Sequence, residues 1–226
     1  MKKLRVWKED TSIEKCQMYE KKYHTIVHKN LLENERYYLF RAKCADRFYW
    51  KYLRGKILDF GCGLGQNIFL HKENSIGIEI SEFALNECKK RGIDVRKNIE
   101  EIKDERFEGI LCAHVLEHLR YPYKVIENFY RILKDGGRLV IVLPYSKKNK
   151  PFRKFRSDIA KHFYNWNFGS INEVLIDVGF TIKFNKFNYA YGYSKLYKLP
   201  FQISIILLTI FGRLMGRKEM IIVAEK

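Results

Sequence analysis

Residues 56–81 read KILDFGCGLGQNIFLHKENSIGIEIS. The short apolar run Ile57–Leu58 ends in Asp59 and a glycine cluster, Gly61, Gly63 and Gly65. A short helical segment then leads into a second apolar run that ends in Glu79. The order is strand, tight loop, helix, strand. In open α/β sheets ligands sit at the carboxyl ends of the strands, and glycines in the first turn let the backbone approach a nucleotide with no Cβ in the way. An acid at the end of the second strand can accept hydrogen bonds from both ribose hydroxyls, each charge-assisted bond contributing roughly 1.5–3 kcal/mol. The unit reads as a nucleoside pocket.

Spacing decides which nucleoside. A dinucleotide fingerprint requires G-x-G-x-x-G, whereas these glycines run G-x-G-x-G and Gln66 follows. The loop therefore does not favour a pyrophosphate cradle. D-x-G-C-G-x-G followed by I-G-I-E-I-S resembles the first two motifs of the class I S-adenosylmethionine-dependent methyltransferases; a Rossmann-like βαβ unit of another kind is the alternative. The resemblance implies that the loop lies against the methionine part of the cofactor and that the acid binds the ribose, roles it carries to Asp59, Gly61, Gly63 and Glu79. Cys62, Gly65, Asn67 and Ile80 join the expected cofactor contacts, Cys62 as packing rather than as a nucleophile. The fold implied is α/β: a Rossmann-like, seven-stranded methyltransferase sheet with helices on both faces and an antiparallel last strand.

Outward from this stretch, Ser81 can cap a helix through Lys90, which Gly92 stops. A short strand follows around Val95, and the resemblance sets Asn98 and Ile99 against the adenine. Phe107–His118, FEGILCAHVLEH, is a buried strand running into a loop and resembles the fourth family motif, which places Ala113 and His114 beside the cofactor. A helix carrying Val125, Ile126, Phe129, Ile132 and Leu133 on one face ends at Lys134-Asp135-Gly136-Gly137, and the strand Arg138–Pro144 follows. His162–Phe180 looks like the closing helix of the family, ending at the Gly179-Phe180 start of the sixth strand.

Upstream, residues 1–54 carry a helical period through Leu31, Leu32, Tyr38, Leu39, Ala42, Ala45 and Phe48. They read as an amino-terminal helical lid, with Tyr19, Tyr23 and His24 expected near the cofactor. The reading is thus one methyltransferase domain over 1–226: lid 1–54, core 55–188, apolar insertion 189–218 and last strand 219–226. Within the insertion Leu199–Phe211 is apolar nearly all round, yet shorter than the roughly 20 residues that a membrane span needs. Tyr191, Tyr193, Tyr197, Lys195 and Lys198 flank it on one side and Arg213, Arg217 and Lys218 on the other, in the manner of an interfacial segment. Peripheral membrane contact through 199–216, a site for a lipid-like substrate and a homodimer interface are its three readings.

With 226 residues, two independent cores are not expected. Lys and Arg number 43 against 26 Asp and Glu, a net charge of +17, which favours an anionic partner. Tyr145–Lys161 concentrates that charge at the expected substrate mouth, with Tyr145, Phe152 and Phe155 among the lysines and arginines. Five cysteines lie singly, and MKKLRVWKED lacks the apolar core of a signal peptide, so free thiols and a cytoplasmic setting are expected.

His114-Val-Leu-Glu117-His118 also fits H-x-x-E-H, which on a long helix would hold zinc. Its place after a buried strand opposes that reading, and no metal ligand set is assigned. Some quinone-pathway and small-RNA methyltransferases hold a divalent metal with E-x-x-E-H here; His114 stands in place of the first Glu. Methyl transfer needs proximity and orientation above all, with a general base where a hydroxyl acceptor must lose its proton. His114, then His118 and His162, are the candidates. The expectation is S-adenosylmethionine-dependent methylation, at oxygen, of a small-molecule or lipid-linked, anionic acceptor. An RNA methyltransferase and a non-catalytic cofactor-binding or membrane-associated partner are the alternatives.

Overall fold

A computed structural model describes residues 20–99, 102, 107–145, 162–190 and 195–226. Tyr19, Cys16, Tyr191, Tyr193 and the basic residues between Lys147 and Lys161 lie outside these residues. The described strands are β1 (Ile57–Phe60), β2 (Ser75–Ile78), β3 (Val95–Arg96), β4 (Phe107–Ala113), β5 (Leu133–Pro144), β6 (Thr181–Asn188) and β7 (Glu219–Glu225). They form one seven-stranded sheet in the order β3-β2-β1-β4-β5-β7-β6. All pairs from β3 to β5 are parallel, and β7 lies antiparallel to both β5 and β6. Strand order reverses between β1 and β4, so their carboxyl ends open the crevice where such sheets bind ligands.

Two-residue periodicity divides the side chains between two cores. Ile110, Cys112, Leu139, Ile141, Leu143, Met220 and Ile222 face a layer containing Ile126, Phe129, Ile171 and Leu175. Their neighbours Leu111, Ala113, Val140, Val142, Ile221 and Val223 face Ala45, Tyr49, Trp50, Leu85 and Cys88. The first layer belongs to α5 (Pro122–Ile132) and α6 (Phe168–Val178), the second to α3 (Glu35–Phe48), its continuation and α4 (Glu82–Lys90). Helices therefore cover both faces, as a buried parallel sheet requires.

Local signals set most boundaries. The Ser81 side chain accepts from the Ala84 amide and opens α4, while Gly92 follows it at φ +70°. The amino-terminal helical period is cut into three helices, α1 (Lys21–Val27), α2 (Lys29–Glu33) and α3; at the second break the Asn34 side chain accepts from the Tyr37 amide and restarts the helix. The expected closing helix is shorter than His162–Phe180. Residues 162–167 are irregular, and α6 starts only where Asn167 and Ser170 satisfy each other's amides in a capping box. Pairing of β5 reaches back to Leu133, opposite Phe107, and the Lys226 backbone brackets Gly136 and Gly137.

The segment after β6 forms a 3-10 turn over Lys195–Lys198 and then α7 (Phe201–Leu214). Ser204, Leu208 and Gly212, four apart, face inward; a Cβ on Gly212 would lie 1.9 Å from the Tyr189 carbonyl oxygen. The helix rests on α3 and its lead-in through Phe40–Phe201 and Tyr37–Tyr197 ring contacts and an Asn34 amide bond to the Tyr197 hydroxyl, 2.7 Å. No helix among the described residues is long and apolar enough to cross a membrane.

Candidate functional site

The glycine loop leaves β1 by doubling its amides onto β2: Gly61 and Cys62 both donate to the Ile78 carbonyl, at 2.8 and 3.0 Å. Gly61, Gly63 and Gly65 all have left-handed φ, between 57° and 79°. A Cβ at Gly61 would meet Val115 at 2.4 Å and one at Gly65 would meet Ile93 at 2.5 Å, whereas nothing lies within 4 Å of that position on Gly63. The outer two glycines seal the loop to the core, and the middle one leaves a surface open for a ligand.

Two buried acids border that opening. Glu79 ends β2 with Oε2 accepting from the Gly63 amide at 2.9 Å and Oε1 accepting from Ile80 and Ser81 at 2.8 and 2.9 Å. Burial raises its pKa, and those three amides oppose the rise. Asp59 is 1% exposed, and neither carboxylate oxygen has a hydrogen-bond partner among the described residues. Burial, and secondarily the Glu79 charge, push its pKa up to about 8. An orphaned buried carboxyl calls for a donor, and S-adenosylmethionine presents an ammonium group and ribose hydroxyls. The residues fit that cofactor.

The other expected contacts are placed as follows. Cys62 is buried with its sulfur where a Gly77 Cβ would be, and hydrogen bonding with Cys88 and burial push its thiol pKa well up, consistent with packing. The Asn67 carbonyl accepts the Trp50 indole at 2.5 Å. Ile80 is exposed beside Glu79, and Ala113 is buried at the end of β4. Asn98 follows β3, and Ile99, like Phe60 and Val115, packs against the core cluster that includes Leu58, Ile102 and Leu116. Tyr23 lies on α1, edge-on to His24 and His28. That helix reaches α4 through His24 against Phe83, and Glu20 accepts from the Glu82 and Phe83 amides. The lid thus closes on the turn that follows Glu79.

His114 sits directly after β4 with φ 58°, the one positive φ outside glycine among the described residues. An L-residue there costs roughly 1–2 kcal/mol, so the surroundings must hold it. They do so at both ring nitrogens. Nε2 lies 2.9 Å from Glu219 Oε2, and Nδ1 lies 3.6 Å from Glu117 Oε1. Glu219 is fully buried and also accepts from the Tyr49 hydroxyl at 2.6 Å and the Asn188 amide at 2.7 Å. Burial opposes its ionisation, but the bonds from His114, Tyr49 and Asn188 outweigh it and hold the carboxyl below its usual range. The carboxylate can only accept, so His114 Nε2–H donates to it, and Nδ1 faces the Glu117 side of the crevice.

Glu117 and His118 occupy a 3-10 turn, Leu116–His118, so H-x-x-E-H does not lie along a helix. The segment after the basic loop returns to this turn: Phe163 donates to the Glu117 carbonyl at 2.8 Å, and the His162 ring stacks on His118 with centroids 4.7 Å apart. Glu117, His118 and His162 can each offer one ligand atom, all within 4.8 Å of one another. Glu117 Oε2 is buried without a hydrogen-bond partner among the described residues. This mixed oxygen and nitrogen set fits a divalent cation, a grouping that the sequence reading left unassigned.

Sequence reasoning missed Glu219, Tyr49 and Asn188, which carry no motif and meet only through the fold. It also missed Arg41 on α3. Its guanidinium lies 3.5 Å from the Tyr37 hydroxyl and has no carboxylate ion pair among the described residues. Burial works against its charge, and Tyr37 and Tyr49 outweigh it and raise its pKa.

Sheet order, switch-point crevice and a glycine loop flanked by two buried acids define a nucleoside-binding α/β enzyme fold. Comparison with known proteins makes this specific. Residues 58–141 match the family model described as a methyltransferase domain. An uncharacterised protein of Methanocaldococcus jannaschii is 38% identical over 90 residues, 38% of this chain and 40% of that protein. The ubiquinone biosynthesis O-methyltransferase of Coxiella burnetii is 30% identical over 128 residues, 51% of this chain and 53% of the enzyme. The chain therefore spans about half or less of the length of these curated relatives. A second uncharacterised M. jannaschii protein is 31% identical over 148 residues, covering 63% of this chain and 70% of its own length. A crystal structure of an S-adenosylmethionine-dependent methyltransferase from Archaeoglobus fulgidus shares the fold at TM-score 0.61 and 21% identity, covering 90% of this chain and 100% of that one. The chain belongs to the class I S-adenosylmethionine-dependent methyltransferases.

Proposed function

We propose that this protein methylates a hydroxyl group of a small-molecule or lipid-linked acceptor, with His114 as general base. One observation carries the reading: His114 is fixed at the mouth of the switch-point crevice between two buried carboxylates, with Nε2 on Glu219 and Nδ1 3.6 Å from Glu117. The 30% identity to an enzyme named as an O-methyltransferase supports oxygen as the acceptor atom.

When bound, S-adenosylmethionine supplies a methyl group already activated by its sulfonium. Asp59 and Glu79 would hold its polar groups, Gly63 would leave room for it, and Arg41 is available to a carboxylate of the cofactor or acceptor. Neutral His114 takes the hydroxyl proton at Nδ1 while Glu219 fixes the tautomer, and Glu219 and Glu117, on opposite sides of the ring, stabilise the imidazolium that forms. Lid helix α1 reaches the turn after Glu79, and the 162–166 segment returns to the Leu116–His118 turn, so both border the crevice.

Calorimetry with S-adenosylhomocysteine, beside Glu79→Ala, tests the pocket; micromolar binding lost in the variant is expected. Turnover is then sought with labelled cofactor on hydroxylated aromatic, prenylated phenolic and glycan-acid acceptors. His114→Ala should lower kcat by ~10²–10⁴ with cofactor affinity kept, and a fall below ~10-fold overturns the base assignment. Methylation of RNA in place of these acceptors would replace the reading with an RNA methyltransferase, and binding with no turnover on any acceptor would favour a non-catalytic partner.

The Glu117, His118 and His162 grouping favours a second form of the same chemistry, in which a divalent cation holds the acceptor oxygen. Loss of turnover in chelator, restored by Mg²⁺ or Mn²⁺ and absent from His162→Ala, would select it over His114 acting alone.

A further inference from the structure

The outer face of α7 has no role in the site. Ile203, Ile206, Ile210 and Leu214 follow one another at three and four residues along that face and are all exposed, Ile206 at 60% and Leu214 at 78%; Phe211 and Met215 widen the stripe. Inward-facing Ser204, Leu208 and Gly212 already anchor the helix, so the apolar stripe is not needed to seat it. A row of aliphatic side chains of this length facing water calls for an occupant.

Charge identifies the occupant. From Lys195 to Lys218 the chain contains Lys195, Lys198, Arg213, Arg217 and Lys218, and no Asp or Glu. Lys195, Lys198, Arg213 and Arg217 are exposed at the two ends of the helix. A two-fold contact between copies would place these cations against one another, since such an interface brings the same patch together twice. An anionic lipid surface satisfies both features at once: aliphatic side chains enter the acyl boundary and terminal cations meet phosphate headgroups. At 14 residues the helix is about 21 Å long, too short to span the bilayer but suited to lying in its plane.

We propose that α7 is a docking helix for anionic membranes, its Ile203–Ile206–Ile210–Leu214 stripe in the interface and its flanking lysines and arginines on the headgroups. Docking is independent of the methyl-transfer reading. Because α7 rests on α3, the docked enzyme carries its lid toward the bilayer.

The test is co-sedimentation of the full chain with vesicles of phosphatidylcholine alone or with about a third phosphatidylglycerol, alongside the paired variants Ile206→Glu/Leu214→Glu and Lys195→Glu/Lys198→Glu. Thermal unfolding and S-adenosylhomocysteine binding serve as fold controls. Binding is expected only with phosphatidylglycerol, weakened by salt and weakened ~100-fold or more by the apolar pair, with unchanged controls. The lysine pair should also weaken it by ~10-fold or more. No preference for anionic vesicles overturns the proposal. So does binding that the apolar pair leaves intact, which would mean adsorption of a basic protein. A dimer dissolved by the apolar pair, with no vesicle binding, would seat a second copy on the stripe and equally overturn it.

Discussion

Asp59 illustrates what an unpaired buried carboxyl does to stability. Its carboxyl is buried without a hydrogen-bond partner among the described residues, with a pKa of about 8 against 3.8 for the ordinary group. Between those values the folded chain retains a proton that the unfolded chain has released, so this group makes folding less favourable as pH rises from about 4 to 8. Asp59→Asn should therefore raise the Tm of the ligand-free protein at pH 7.5 by about 5 °C, while calorimetry shows S-adenosylhomocysteine binding lost. A Tm that falls would mean that the carboxylate has a stabilising partner. Binding a cofactor ammonium should also expel up to about one proton at pH 7, measurable from binding enthalpies in buffers of different ionisation heat. The position of Asp59 before the glycines is legible in sequence because motif spacing is local. Its orphaned state is not, since that depends on what the surrounding strands and Glu79 leave unfilled.

Elements bring together what spacing cannot. His114 was readable as the residue at a strand end, but its partner Glu219 is 105 positions away, and Tyr49 and Asn188 reach the same carboxylate from a helix end and another strand. None of these three lies in a motif, so only the sheet order reveals them. Glu219→Gln keeps the shape and still accepts from Tyr49 and Asn188, yet presents an N–H to His114 and forces the other tautomer. On the proposed mechanism kcat should fall by ~10²-fold or more with KM for cofactor little changed, whereas a purely structural role would lower Tm and leave kcat per folded molecule intact. The central strands were legible as short apolar runs beside motif residues, and 199–211 as a segment apolar nearly all round. The inward row Ser204, Leu208 and Gly212 was not, because Ser204 and Gly212 give no hydrophobic signal and Leu208 stands among apolar neighbours on every side. Gly212→Ala places a methyl against the Tyr189 backbone, which cannot yield as a side chain would. The strain should exceed the ~1 kcal/mol gain in helix propensity, costing about 1–3 kcal/mol overall and several degrees of Tm by calorimetry.

For the whole molecule the governing quantity is the excess of 43 basic over 26 acidic side chains. Surface pairs such as Lys29–Glu33, both well exposed at 3.8 Å, contribute ~0–1 kcal/mol each, and salt weakens them. Self-repulsion of a +17 chain is screened by the same salt and acts over the whole surface. The imbalance makes screening the larger effect. Raising NaCl from about 20 to about 200 mM should increase Tm by ~3–5 °C, whereas a decrease would show that local pairs dominate. A different consequence follows from the threading of β7 between β5 and β6. On a ribosome adding roughly 5–20 residues per second, His114 is made about 5–20 s before Glu219. During that interval the nascent chain carries its glycine loop, Asp59, Glu79, the imidazole and Glu117, but not the Glu219 carboxylate that meets Nε2. On the proposed mechanism the reactive centre is timed by synthesis: the cofactor loop is translated first, and the carboxylate that would set the tautomer of His114 arrives with the strand that enters between β5 and β6.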